Sequence, residues 1–396
     1  MEAVTVIWII LQILIGYNLV LPFILYLFSN FSRGRVYPAA INEADYAIIV
    51  TAYEYTDQLP SVVDSILRVK YSNYLIYIVA DKCDVSNLHF NDERVIVLRP
   101  PETLASNIKS HFYAIHNFRR QHERLTIIDS DNLVHPNFLN ELNKLFEAGF
   151  SAVQGIREAK NLDTTYACLD AARDIYYHFY DGKLLFNLGS SATLAGSGMA
   201  FTVSLYRECL ENSNISGAGF DKVLQAAIVG RNRRIAFTGE AVVYDEKTTR
   251  SDQLVKQRSR WINTWFKYFG FGFTLIGKGI INFSRNQFIF GLILLRPPLF
   301  IFLLLSLLCL FINLFINITA AFIWLAAFGL FVLGFYLALA KSPTDRRIYQ
   351  SLVSIPKFIY FQVQSLMKAR GANKRSVATR HYHSTDTEIK HDNNEG

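Results

Sequence analysis

Four aspartates stand where oxygen chemistry could be done: Asp81 closes the run YLIYIVAD, Asp129 and Asp131 close LTIIDSD, and Asp221 ends the glycine-rich segment GAGFD. A D-x-D pair directly after a buried strand brings two carboxylates into one crevice. Hard divalent cations such as Mg2+ or Mn2+ take such oxygen ligands and share them with substrate phosphates. The pair also suits a plainer use, capping a helix that begins near Pro136. An EF-hand loop fits less well, because no glycine follows at the required place. Asp81 equally suits an ordinary turn in ADKCD, and Asp221 the cap of the helix after it. Gly196, Ser197 and Gly198 in AGSGMAF read as a turn, since no G-x-G-x-x-G follows the first strand.

A second cluster is KQRSRWINTWFKYF, residues 256–269. On a helix Gln257, Arg260 and Trp261 share a face, three to four residues apart. Arg260 can offer a planar fork to diphosphate oxygens, and Trp261 a flat apolar face to a sugar ring. The same segment reads as a basic, aromatic helix at a membrane surface, and both readings can hold on different faces.

These residues need a frame. Between about residues 45 and 250 short β-rich runs (YAIIVTAY, YLIYIVAD, RVIVL, LTIID, SAVQG) alternate with helical patterns, including DQLPSVVDSILRV and the stretches 104–120 and 136–148. Buried strands alternating with helices predict an α/β domain, a parallel sheet with helices on both faces. Ligands of such sheets bind beyond the carboxyl ends of the strands, where the aspartates lie.

The charge of the chain divides sharply. Residues 1–252 hold 23 Lys or Arg and 28 Asp or Glu, whereas residues 253–396 hold 17 and 5, which together give the net +7. The basic half also contains long apolar runs, so its charge borders a membrane. Residues 4–28 are long enough to cross a hydrocarbon core of ~30 Å. A signal peptide is excluded by the length of the run, the absence of a basic start, and Arg33 and Arg35 directly after it. Residues 297–340 form a second apolar block, divided by Asn313, Asn317 and Thr319 into two spans. Arg296 would cost roughly 2.5–3.5 kcal/mol at the bilayer centre and so marks an interface. Pro297 and Pro298 then suit the first turn of the next helix. Residues 352–367 read as an amphipathic helix on or in the bilayer. The four cysteines show no disulfide or zinc spacing. Nucleic acid is excluded as a partner because the soluble half is net acidic.

Taken in order, these pieces resemble the membrane-bound inverting glycosyltransferases of family 2, which include cellulose, chitin, hyaluronan and poly-N-acetylglucosamine synthases and ceramide glucosyltransferase. The motifs D, DxD, (E)D and Q-x-x-R-W fall at Asp81, Asp129–Asp131, Asp221 and Gln257–Trp261. The resemblance implies a cytoplasmic GT-A domain, the Rossmann-like nucleotide-diphospho-sugar transferase fold, with flanking transmembrane helices. It divides the chain into an N-terminal span (1–32), the GT-A catalytic domain (45–252), QxxRW and interfacial helices (253–296), two spans (297–340), an interfacial or membrane helix (341–370) and a cytoplasmic tail (371–396).

The resemblance also implies roles. Thr51, Ala52, Tyr53 and Glu54 lie against the nucleotide base, and Asp81 binds the uridine. Lys109 approaches the donor, while Asp129 and Asp131 hold the sugar-nucleotide and its Mg2+ or Mn2+. Gly196, Ser197 and Gly198 line the acceptor end of the cleft. Asp221 is the general base, and Gln257, Arg260 and Trp261 form the pyrophosphate and acceptor platform. Phe220 departs from the family, which usually has Glu or Asp before the base. The tail segment SVATRH is similar to the family's gating segment, with Thr379 and Arg380 near the donor phosphates.

The activity expected is metal-dependent transfer, with inversion, of a hexose or N-acetylhexosamine from a UDP-sugar (UDP-GlcNAc or UDP-Glc) to a growing polysaccharide. The alternatives are addition of one sugar to a lipid acceptor and, more distantly, an inactive membrane scaffold. Membrane lipids, a glycan or lipid acceptor and export proteins are the implied partners. A bacterial inner membrane, with the catalytic domain in the cytoplasm, is the expected location.

Overall fold

The computed structural model describes residues 2–31, 36–213, 215, 218–370 and 372; Arg33, Arg35, Thr379 and Arg380 lie outside them. Eight strands among the described residues form one sheet: β1 (Tyr46–Tyr53), β2 (Tyr74–Asp81), β3 (Val95–Leu98), β4 (Arg124–Asp129), β5 (Leu133–Val134), β6 (Ala152–Ala159), β7 (Met199–Thr202) and β8 (Ala236–Asp245). Their order is β3-β2-β1-β4-β7-β6-β8-β5. Apolar side chains such as Ile49, Val50, Ile78, Val79, Ile127 and Ile128 are buried on both sheet faces. That double burial explains why these strands read as continuous apolar runs rather than alternating ones.

The parallel sheet expected from the sequence describes only part of the whole. β3, β2, β1 and β4 are parallel, and β6 is parallel to β8. β7 runs antiparallel to both β4 and β6, and β5 antiparallel to β8. The reason lies between β6 and β7. There a long helical run (Thr165–Tyr177, a π-helical His178–Leu184, then Leu185–Asn187) carries the chain away before it re-enters through the turn at residues 196–198. β7 therefore starts, rather than ends, at the carboxyl end of β4, with Met199 opposite Ile127.

Three helices among the described residues are long and apolar enough to span a membrane: Ala3–Phe31, Leu299–Ile316 and Ile318–Ala340. Pro298 is the cap of the second, so both prolines precede its first turn rather than form it. Arg296 is buried and pairs with Asp181 of the π-helical segment. This pairing removes the cost of an isolated buried charge. Tyr180 donates to the Gly334 carbonyl at 2.7 Å, so the π-helical segment touches both the sheet domain and the spans. The helix Ile355–Met367 packs on the helix Ser251–Tyr268, where the Ser259 hydroxyl donates to the Ser365 carbonyl at 2.9 Å.

Candidate active site

Strand order reverses between β1 and β4, and the crevice of an α/β sheet opens beside such a reversal. The register fixes what stands there: Thr51 of β1 is opposite Asp129 of β4, and Tyr53 is opposite Asp81 of β2. Neighbouring strands lie about 4.8 Å apart and rise about 3.3 Å per residue, so Asp81 and Asp129, offset by two residues, flank β1 about 12 Å from each other.

Asp81 is buried, and its two carboxylate oxygens accept the Leu104 and Ala105 amides at 2.9 and 2.7 Å. It thereby ties the loop before the helix Asn107–His116 to the end of β2. Three non-glycine residues with left-handed backbones surround this point: Glu54 (φ 65°), Lys82 (φ 58°) and Ala105 (φ 46°). Backbones of this kind cost of order 1–3 kcal/mol each and gather at ligand sites. Glu54 and Lys82 pair at 2.7 Å. Thr51, Tyr53 and Glu54 are partly exposed at the lip, whereas Ala52 is buried. Lys109 is exposed in the first turn of the next helix, which Ser106 caps.

Ser197 shapes the DSD turn. It is fully buried, and its Oγ accepts the Asp129 amide at 3.1 Å and the Asn132 side-chain amide at 2.7 Å. Gln154 of β6 holds the turn at residues 195–198 that carries Ser197, donating to the Ser197 carbonyl at 3.1 Å and accepting the Ala195 amide at 2.9 Å. Gly198 has φ 65°, and a Cβ there would lie 2.9 Å from Val243 Cγ2. Asp129 and Asp131 are thus set on a braced turn, both partly exposed. No group of three or more His, Cys, Asp or Glu converges on one point among the described residues. Two carboxylates fit a Mg2+ or Mn2+ ion that arrives with substrate phosphates, because such ions keep water and need only one or two protein ligands.

Asp221 lies in the first turn of the helix Phe220–Gly230 and pairs with Lys222 at 3.2 Å. Gly219 before it has φ 98°, and a Cβ would fall 2.5 Å from Thr264 Cγ2 and 2.8 Å from Tyr268 Cε2. Only glycine lets this turn approach the helix Ser251–Tyr268 so closely. Phe220 turns inward and meets the His111 ring at 5.1 Å. His111 is fully buried, and burial pushes its imidazole down to about 3. A carboxylate at position 220 would have to be buried against this neutral ring, which disfavours one there.

On the helix Ser251–Tyr268, Gln257 accepts the Thr248 hydroxyl at 3.2 Å. Burial lowers the Arg260 guanidinium below its ordinary value. The Trp261 ring carries two guanidinium groups, Arg258 at 4.1 Å and Arg173 at 4.5 Å from its centroid, and remains 39% exposed. Arg258, a spacer within Q-x-x-R-W, is buried and paired with Asp170. It opens a network that sequence reasoning missed: Arg173 meets Asp170 and Asp174 at 3.1 and 2.5 Å, and Lys247 meets Asp174 and Asp245 at 2.6 and 2.5 Å. Arg157 stands 3.8 Å from Asp174 and 3.6 Å from Asp245. Burial raises the Asp170 carboxyl, while Asp174, although also buried, is held well below its usual range by Arg173, Lys247 and Arg157. Gln154 could have been suspected, as an amide in an apolar strand. The network gave no local signal.

A sequence model of the family described as "Glycosyltransferase like family 2" matches residues 44–264. No curated protein matches the chain. Among solved structures, the mannosyltransferase PcManGT from Pyrobaculum calidifontis, in complex with GDP-Man and Mn2+, is similar with a TM-score of 0.55 and 12% identity, over 91% of this chain and 97% of that one. S. aureus TarS 1-349 aligns with a TM-score of 0.42 and 13% identity, over 83% and 90% of the two chains.

Proposed function

Because the chain belongs to glycosyltransferase like family 2, it is an enzyme that moves a sugar from a nucleotide-sugar donor, and we propose that it does so at a membrane, with inversion and with a divalent metal. The support is the register that sets Asp81, Thr51 and Asp129 around the end of β1, at the reversal of strand order. In this reading the base lies against residues 51–54, and a UDP-sugar is the donor. Asp129 and Asp131 would hold Mg2+ or Mn2+, which would supply positive charge to the diphosphate. Arg260 adds a fixed cation for the same charge. Asp221 takes the proton of the acceptor hydroxyl as that oxygen attacks the anomeric carbon. One base is enough, because a single displacement from the opposite face inverts the centre. Gly196 and Gly198 border the acceptor, and Gln257 and Trp261 support it; Ser197 contributes by bracing the DSD turn.

A growing polysaccharide is one acceptor. A second reading, addition of one sugar to a lipid, is favoured by how the three long helices pack. Gln12 accepts both Trp324 Nε1 at 2.8 Å and Asn313 Nδ2 at 2.6 Å, and a Cβ on Gly16 would touch the Trp324 ring at 3.3 Å. Helices closed in this way leave little room for a polymer to pass between them. In either case the three helices anchor the catalytic domain on the cytoplasmic face of a bacterial inner membrane.

Membranes carrying the protein are incubated with UDP-GlcNAc, UDP-Glc or GDP-Man, each with Mn2+, Mg2+ or EDTA. Nucleoside diphosphate release and product length are scored together. Release from a UDP-sugar that stops with EDTA is expected. A ladder of products favours the polysaccharide and a single glycolipid the second reading. Release unaffected by EDTA overturns the metal assignment, release from GDP-Man alone the UDP assignment, and no release from any donor the activity.

A further inference from the structure

Two lysines are buried where β6 and β8 run out, and their surroundings differ. The Lys247 ammonium, on a side chain 2% exposed, meets the carboxylates of Asp174 and Asp245. Lys160, the residue after β6, is 8% exposed, yet its Nζ is buried with no hydrogen-bond partner among the described residues. Its backbone is fixed, since the Lys160 amide donates to the Asp245 carbonyl at 2.8 Å and extends the ladder in which Ala159 faces Asp245. With the backbone held, burial of the side chain limits where the ammonium lies. A buried ammonium without an acceptor loses its hydration and gains nothing in exchange, so buried lysines are paired almost without exception. A flexible stem normally carries the charge out to water, and here it does not.

The charges that act on Lys160 say what is missing. Asp131 and Glu246 both favour its protonated form, although burial outweighs them and lowers it. Asp131 is the second carboxylate of the DSD turn, so the lone ammonium lies in the electrostatic reach of the candidate metal position. β8 enters the same place: Leu133, two residues after Asp131, is opposite Tyr244, two residues before Glu246.

We propose that Lys160 is a donor-binding residue whose ammonium receives the diphosphate of the nucleotide-sugar. This rests on the donor-site reading above and adds to it a fixed cation on the side of Asp131. The diphosphate would give the buried Nζ the acceptor that it lacks. In return, negative charge developing on the leaving group would meet a cation that needs no reorganisation.

The test is equilibrium binding to the purified, detergent-solubilised full chain, with UDP, GDP and their nucleosides as probes in the presence of Mn2+. In Lys160→Met, affinity for the diphosphate falls by about tenfold or more, as expected for a lost charge-assisted hydrogen bond, while nucleoside affinity is unchanged. Diphosphate affinity equal to wild type, or an equal fall for nucleoside and diphosphate, would overturn the assignment. Lys160→Gln keeps a donor in the slot without the charge. It is read by the same ratio and decides the matter if the Met variant does not fold. A wild-type protein that bound neither diphosphate would sink the donor-site reading itself, whereas wild-type binding with unaltered variants sinks Lys160 alone.

Discussion

Two charged regions adjoin at the ends of β6 and β8, and they use charge in opposite ways. The rim consists of Asp129, Asp131 and Asp221, partly exposed carboxylates set on braced turns. Behind it, the network of Arg157, Asp170, Arg173, Asp174, Asp245, Lys247 and Arg258 is largely out of water. There Asp170 and Asp174 side chains are only 5% and 8% exposed, each shared by at least two cations. Arg157 joins the regions, since Asp129 is among the carboxylates that favour its charge. Each carboxylate of the network is paired with at least one buried cation, which leaves it less free to meet a substrate than an exposed carboxylate. Such a network fixes geometry, here that of β6, β8, the helix Thr165–Tyr177 and the helix that carries Trp261. Counting charges would rank the network first, and accessibility reverses the order.

The sharpest separation comes from one carboxylate in each region. Asp221→Asn should lower sugar transfer about 10²–10⁴-fold, the usual contribution of a general base, and leave the unfolding midpoint where it was. Activity near wild type in a nucleoside diphosphate release assay would remove Asp221 from the chemistry. In the network, Asp170→Asn strips Arg258 and Arg173 of a buried partner, a change that costs about 3–5 kcal/mol in comparable buried pairs. Thermal or denaturant unfolding should show that loss, and the double variant Asp170→Leu/Arg258→Met should be less destabilised than the sum of its parts. If Asp170→Asn left stability intact but abolished transfer, the division between rim and scaffold would fail.

How much of this was legible depended on the kind of burial. β1, β2 and β4 could be read from their apolar runs, and the aspartates at their ends with them. β5 has two residues and β7 four, too short for any period to show. β8 mixes buried Ala236, Ala241 and Val243 with exposed Gly239 and Glu240, so it looks like neither a core nor an amphipathic strand. Asp221 could be picked out, but the packing of Phe220 beside it could not, because His111 reaches Phe220 from a distant position and is itself held by Tyr206. Likewise Asp170 and Asp174, four apart on a helix, look like a solvated stripe until β6 and β8 are laid against them. Lys160 was invisible for the same reason.

His111 gives a pH measurement that tests the neutral ring packed against Phe220. The unfolded chain protonates this residue near 6.5 and the folded one near 3. Between those values the unfolded state holds more protons, so stability falls as pH drops from about 6.5 towards 3. The slope is about 1.4 kcal/mol per pH unit, and stability is fully regained above the unfolded value. Denaturant titrations between pH 7.5 and 5 should show this term together with those of His178, which burial also lowers to about 3, and His122, and His111→Gln should lose only its own share. A slope that persists unchanged in the variant would assign the effect to His178 and His122 instead. Asp174 of the network, depressed in the fold, also loses its contribution as pH falls, but lower in the acid range.

The smallest effect is expected at the lip, where the contrast is easiest to break. Glu54 and Lys82 pair at 2.7 Å, with side chains 27% and 55% exposed. In water such a pair gains little, because solvent screens it and two long side chains must be held in place. Both residues nevertheless carry left-handed backbones, and strain of that kind persists only where surrounding structure enforces it. The enforcing contacts are main-chain ones, including the Glu54 amide donating to the Asp81 carbonyl at 3.2 Å, and they do not depend on the side-chain pair. Glu54→Gln should therefore leave the unfolding midpoint unchanged. A clear fall would mean that the lip, like the network, is held by its charges, and the rim would then have to be regarded as scaffold and site at once.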